Sequence, residues 1–337
     1  MLPRHPLRDR LLSRLDEHLR RDLAVPAGAR VRVAFSGGVD STAALAALAA
    51  LAPVRGYRVE AVHVHHGLQA AADQWAEAAR GIAGAIAAPL QILHWQGGPQ
   101  AGESEEAAAR RGRYGLLQEA LGAGDWLVTG HQADDQAETV LLYLARGAGL
   151  DGLSGIERRR PFGPGWLVRP LLPFRRAELE ELVGRCGLET VSDPSNTEPR
   201  LARARVRGQV LPCLAEAMGG EVGGAVARSA DLLQDAREVL EAGVAERLAG
   251  LWHAGPPPAV AAAPLASLSP AEGRLVLREA LRLARQVLPE REQLERARRL
   301  AGRVEASGSV TWRGGGVQRR GAWLIIHGPD LAGGGSG

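Results

Sequence analysis

VRVAFSGGVDSTAALAALAA, residues 31–50, decides the fold. Residues 31–35 are a short β-branched and aromatic run, Ser36-Gly37-Gly38 interrupts it, and 39–52 is rich in Ala and Leu at helical spacing. The stretch reads as strand, tight turn, helix. Working outward, 57–65 alternates as a second strand, 70–87 reads as a helix with Trp75 on its face, and 90–95 as a third strand. A helix over 103–121, a strand over 126–129 and a helix over 132–146, stopped by Gly147, follow. Strands alternating with helices of this length predict an α/β fold: a doubly wound, mainly parallel sheet with helices on both faces.

Beyond Gly147 the pattern loosens. A strand is expected over 166–169 and a helix over 175–186, followed by the polar segment Ser192-Asp193-Pro194-Ser195-Asn196 and a helix carrying Arg200, Arg203, Arg205 and Arg207 with no acid among them. From Met218 the chain reads as a smaller helical region of mixed charge. Gly255-Pro256-Pro257-Pro258 is too stiff to continue a helix and reads as a linker. Residues 310–326 alternate around Gly314-Gly315-Gly316 and Arg320-Gly321 as terminal β-hairpins, and the final GGGSG as a disordered tail.

The 337 residues suit about two domains. Hydrophobic residues at 45% and charged residues at 23% are ordinary globular usage. All 41 basic residues are Arg, so Schiff-base and nucleophilic lysines and a Walker A loop are excluded. Cys186 and Cys213 are too few for a disulfide scaffold or a four-thiolate zinc site, and reduced cysteines point to the cytoplasm. Residues 1–23 mix Arg with Asp16, Glu17 and Asp22, and no 18-residue apolar run occurs, so a soluble chain without membrane attachment is expected.

The turn Ser36-Gly37-Gly38-Val39-Asp40-Ser41 carries the first chemistry. Its glycines let backbone approach a ligand, the helix start supplies unpaired N–H groups, and two hydroxyls add donors, which together make a nest for phosphate. Asp40 would repel bare phosphate, so its presence fits a Mg²⁺ bridge to the ligand. Glycine pairs between strand and helix are common; the full SGGxDS string is far more specific. Farther on, His131 and Asp135, and Asp134 and Glu138, stand four apart, so each pair shares a helix face near the end of a strand. This group could hold Mg²⁺ (Asp135 with Asp40), accept a proton from an amine, or bind a cationic substrate. A solvated acidic helix start is the plainer alternative. His63, His65 and His66 offer a poor zinc ligand count, which favours packing or a polar role near nucleotide. Arg110 and Arg113 share a helix face beside Tyr114, suiting phosphate contact and base stacking, although Glu106 could pair with Arg110. The run Arg200, Arg203, Arg205 and Arg207, without counter-charge, suits a phosphate backbone, although charge runs are usually solvated faces.

The SGGVDS string after a strand resembles the PP-loop ATPases, which cleave ATP between its α and β phosphates. Within them, 63–68 (HVHHGL), 109–114 (ARRGRY), 130–139 (GHQADDQAET) with Arg146-Gly147, 169–172 (RPLL) and 193–212 (DPSN, RARVR, LP) resemble the tRNA(Ile)-lysidine synthetases, over about residues 30–215. That resemblance implies a ligase using ATP and Mg²⁺: ATP adenylates the carbonyl oxygen on carbon 2 of the wobble cytidine in a tRNA-Ile with a CAU anticodon, and free L-lysine then displaces AMP, giving lysidine. It implies Ser36 to Ser41 as the ATP loop, Asp40, His131, Asp134, Asp135 and Glu138 as the catalytic group, and Arg110, Arg113, Tyr114 and the four arginines of 200–207 as RNA contacts. The domains expected on this basis are a catalytic domain over 1–215, a helical tRNA-binding domain over 216–305 and a small β element over 306–330. Ala204 departs from the family pattern, which has Asn after the arginine matching Arg203. The two cysteines do not suit a PP-loop tRNA thiolase, and the HxxDDxxET and DPSN segments do not suit a synthetase of NAD or GMP. Retention of Asp40 and both loop serines argues against a non-catalytic RNA-binding module.

Overall fold

In the computed structural model, which describes residues 6–67, 72–191, 202–303 and 307–328, the chain divides into two compact units, 1–234 and 235–337. In chain order the first contains α1 (Pro6–Arg21), β1 (Arg30–Ala34), α2 (Val39–Arg55), β2 (Arg58–His65), α3 (Ala72–Ile86), β3 (Leu90–His94), α4 (Glu105–Glu119), β4 (Trp126–Val128) and α5 (Ala133–Leu144). It continues with α6 (Leu150–Leu153), β5 (Arg159–Phe162), β6 (Gly165–Val168) and α7 (Arg176–Arg185), then α8 (Ala202–Arg205), a π-helical turn (Val206–Val210), α9 (Leu211–Met218) and the start of α10 (Val222–Ala249).

The strands form one six-stranded sheet in the order β3-β2-β1-β4-β6-β5. All neighbours are parallel except the β5–β6 pair. Alternation along each strand feeds two separate cores. Val31, Val33, Trp126, Val128 and Val168 pack with α1, α2, α3 and α7, whereas Val62, Val64, Leu127 and Leu167 pack with Leu117 of α4. The doubly wound reading therefore holds. The chain runs outward from β1 through β2 to β3 and returns to β4 on the other side of β1, so strand order reverses between β1 and β4. In open α/β sheets ligands bind at the carboxyl ends flanking such a reversal.

In the first unit α1 and β5 escaped the sequence reading, and the unit extends into α10. In α1, Leu11, Leu15 and Leu19 recur every four residues and are buried against α2 and α7, so the Arg-rich N-terminal stretch is an amphipathic helix. β5 is a short antiparallel edge strand, Arg159-Arg160-Pro161-Phe162, with little alternation to mark it. The first part of α10 belongs to the first unit: Asp231 accepts a hydrogen bond from Arg158 Nε at 2.7 Å, and Gln234 Oε1 one from Arg158 N at 3.0 Å. The division thus falls inside α10, beyond residue 215.

The second unit contains β7 (Trp252–His253), β8 (Ala259–Ala261), α11 (Ala262–Ser267), α12 (Pro270–Leu283), α13 (Arg291–Ala301), β9 (Ser307–Trp312), β10 (Gly315–Arg320) and β11 (Trp323–His327). The terminal hairpins form as expected, but they join β7 and β8 in one five-stranded antiparallel sheet, β7-β8-β11-β10-β9, over the helices. Gly255 to Pro258 is accordingly not a linker. It is the connection between two paired strands, where prolines need no ladder hydrogen bond. No single helix among the described residues is long and apolar enough to cross a membrane. The polar segment at 192–196, Arg200, Leu68 and the GGGSG tail lie outside the described residues.

Candidate active site

At the carboxyl end of β1 the chain turns on Gly37, whose φ of +81° suits glycine, and enters α2 with Gly38 at its N-cap. The turn is internally tied. Ser41 Oγ accepts from Ser36 N at 3.3 Å and donates to Gly38 O at 3.0 Å, and the two serine hydroxyls lie 3.1 Å apart. Thr42 Oγ1 donates to Gly37 O at 3.3 Å.

At the carboxyl end of β4, Gly130 comes so close to this turn that a Cβ there would stand 3.1 Å from both Asp40 C and Ser41 N. Any side chain there would press on the loop backbone, and the close approach joins the loop to the start of α5. Gln132 caps α5: its Oε1 accepts from Asp134 N at 2.6 Å, while Asp135 Oδ2 accepts from Gln132 N at 3.1 Å. Ala133 N donates to Phe174 O at 2.8 Å, which brings the start of α7 alongside and sets Arg176 Nη1 3.2 Å from Asp40 Oδ2.

One side of the site is a group of carboxylates. Burial pushes Asp40 up to about 6 even with Arg176 beside it. Burial likewise raises Asp135 and Glu138. Glu138 is fully buried, and Arg207 Nε donates to its Oε1 at 2.6 Å. Asp40 Oδ1 and Glu138 Oε2 are buried with no hydrogen-bond partner. Carboxylates in this condition call for cations. Among the described residues no three His, Cys, Asp or Glu side chains converge as a complete metal site. The orphaned Asp40 Oδ1 fits Mg²⁺ that takes one or two protein oxygens and completes its shell with phosphate and water.

The other side is cationic. His131 accepts or donates at Nδ1 to Thr129 Oγ1 at 2.8 Å, and burial, then Arg169, Arg110, Arg203 and Arg113, push its pKa down to about 3. It is a neutral imidazole near pH 7 and a weak base. Arg110 and Arg113 lie over the Tyr114 ring at 5.2 and 5.7 Å from its centroid, and the edge contact with Phe162 takes another side. The ring expected to stack on a base is thus already stacked on guanidinium.

The arginine run also differs from expectation. It is not without counter-charge: Arg207 pairs with Glu138 and reaches within 3.5 Å of Asp135 Oδ1, and Arg203 Nη2 donates to Thr139 Oγ1 at 3.3 Å. Arg205 is exposed at the end of α8. Among the histidines, His63 is buried with Nδ1 2.9 Å from Phe35 O, and His65 Nε2 lies 3.1 Å from Asp73 Oδ1. Arg176, Arg169 and Gly130 are site residues that the sequence reading did not single out. Gly130 and Arg169 do open two of the quoted segments, GHQADDQAET and RPLL.

A PP-loop domain model matches residues 11–214, and a TilS substrate binding domain model matches 261–325. The chain is 38% identical over 296 residues to the tRNA(Ile)-lysidine synthase of Methylococcus capsulatus, covering 87% of this chain and 67% of that one. It is 40% identical over 309 residues to the tRNA(Ile)-lysidine synthase of Alkalilimnicola ehrlichii, covering 90% and 68%. Among solved structures, the U34-tRNA thiolase of Methanococcus maripaludis with its [4Fe-4S] cluster superposes with a TM-score of 0.56 at 18% identity, covering 68% of this chain and 80% of that one, a likeness of fold alone. With a PP-loop nest and an acidic helix start locked together by Gly130, and with relatives matched over most of its length, the chain belongs to the tRNA(Ile)-lysidine synthase family of PP-loop proteins.

Proposed function

We infer that the chain's reaction, lysidine formation on tRNA-Ile, takes place where the Ser36–Ser41 turn meets the start of α5. The observation that carries this assignment is the approach of Gly130 to Asp40 and Ser41. It sets a phosphate nest and a carboxylate cluster within one site, as a reaction using both an anionic and a cationic substrate requires.

In this reading the backbone N–H groups of the turn and the start of α2 hold the ATP phosphates. The carbonyl oxygen on carbon 2 of the wobble cytidine attacks the α-phosphorus and pyrophosphate leaves, turning a poor leaving group into AMP. The side-chain amine of free lysine then attacks carbon 2, the bond to AMP breaks, and the amine's proton passes to a carboxylate. Mg²⁺, when bound, neutralises phosphate charge, with Asp40 as its protein ligand and Asp135 as the second candidate.

Asp134, Asp135 and Glu138 attract the lysine ammonium, and Asp135 and Glu138, whose affinity for protons is raised by burial, suit the role of taking its proton. His131, held neutral, orients rather than transfers protons. Arg110 and Arg113 meet phosphate on the cationic side. Arg200, Arg203, Arg205 and Arg207 meet the RNA backbone. Tyr114 supports the guanidiniums that cover it. The second unit adds affinity for the tRNA body, and the chain works in the cytoplasm. The test is release of AMP and pyrophosphate from ATP: it should require both L-lysine and a CAU-anticodon tRNA-Ile. Tight RNA binding without lysine-dependent AMP would replace this reading with a non-catalytic module.

A further inference from the structure

Glu138 is held from one side only. Its side chain is 1% exposed, whereas the Arg207 side chain that pairs with it is 45% exposed. The carboxylate is a fixed part of the site floor, and the guanidinium reaches it from solvent. Nη2 of the same guanidinium lies 3.5 Å from Asp135 Oδ1, and Glu138 Oε2 still lacks a partner. A buried ionised carboxylate without a cation is strongly unfavourable, so while Glu138 is ionised a positive charge belongs beside it.

The arginine comes from the π-helical turn Val206–Val210, between α8 and α9. Such wide turns interrupt the regular helical ladder and are frequent at functional sites. Beside this turn, Arg203 of α8 donates a hydrogen bond to Thr139 of α5. A guanidinium pairs with phosphate as well as with carboxylate, so an RNA backbone offers Arg207 an equivalent partner.

We propose that Arg207 stands in for the substrate ammonium: it fills the cation subsite of Glu138 and Asp135 in the free enzyme, and RNA phosphate draws it away, so that lysine enters after RNA. This rests on the assignment of the carboxylate cluster to lysine. Free lysine and other cellular cations then meet an occupied subsite until RNA is seated.

Calorimetric titration of L-lysine into the full chain tests the exchange. Without RNA, Arg207→Ala should bind lysine at least ~10-fold more tightly than wild type, a typical coupling between linked sites. With saturating unmodified tRNA-Ile, wild type should gain that affinity and the two proteins should converge. Reciprocally, lysine should tighten tRNA binding to wild type by the same factor, and not to the variant. Should Arg207→Ala fail to fold with Glu138 unpaired, Arg207→Gln, which removes the charge and keeps a hydrogen-bond donor, should give the same tightening. Equal lysine affinity of wild type and variant without RNA, with binding lost in Glu138→Gln, overturns the exchange while leaving lysine at the cluster. Lysine affinity unchanged in Glu138→Gln overturns both.

Discussion

The Ser36–Ser41 turn and the start of α5 share one edge of the sheet and meet opposite electrostatic demands. The turn is tied internally: Ser41 and Thr42 hydroxyls donate to Gly38 O and Gly37 O, and the N–H groups of Ser36 and Gly38 donate to serine hydroxyls, so the nest keeps its shape without ligand. The carboxylates of α5 and Asp40 do not. Asp40, Asp135 and Glu138 are half-buried or buried, raised in pKa and paired with guanidiniums from α7 and from the π-helical turn. The difference separates a preorganised anion cradle from a cation site that is completed by exchange.

Breaking the link between the two halves should have the largest effect. Asp40→Asn removes the one acid inside the nest and should lower lysine-dependent pyrophosphate release by about 10³-fold, with tRNA affinity within about twofold of wild type. Near-normal turnover would remove the metal role. Gly130→Ala puts a Cβ about 3.1 Å from the Asp40 and Ser41 backbone, which must shift by a few tenths of an ångström, and should lower the same rate by about 10²-fold through misplacement, while calorimetric lysine binding is retained. Equal rates would mean that the turn and α5 work independently.

The cationic side should yield smaller effects. Replacing Arg203 and Arg205 together by Ala should weaken tRNA binding and reduce the slope of log K against log salt by about 2, measured by filter binding at several salt concentrations. An unchanged slope would place both side chains away from RNA.

The smallest effect is on stability. His131 is held near 3 and His66 near 4 by burial, against an ordinary 6.5. Between those values the unfolded chain binds protons that the folded chain refuses, so their contribution is complete above pH 6.5 and is lost as pH falls. Asp40, raised to about 6, acts with the opposite sign. Comparison of pH 5 with pH 7 should therefore show a thermal midpoint gap that His131→Gln narrows by about 2–4 °C, and a gap left intact would mean that the folded site admits the proton.

Much of the sheet was legible because its signals are local. The alternation over 57–65 and the helical spacing over 39–52 lie close to β2 and α2, since a strand needs only period two and a helix only a repeat near four. β5 and β7 were missed for the same reason. They are too short to show a period, and they exist because neighbouring strands offer them hydrogen bonds. Gly255 to Pro258 was misread because stiffness alone does not distinguish a linker from a connection between paired strands.

From the residues alone came the nest after β1, the helix face shared by Asp134 and Glu138, and an all-arginine chemistry without lysine, because each depends on residue type and spacing along one element. Tertiary structure alone decided that Gly130 closes on Asp40, that Arg176 and Arg207 occupy carboxylates distant in sequence, and that Tyr114 is covered by Arg110 and Arg113. Charge pairing acts across space, and a guanidinium's partner is settled by which buried carboxylate the folded backbone carries within its reach.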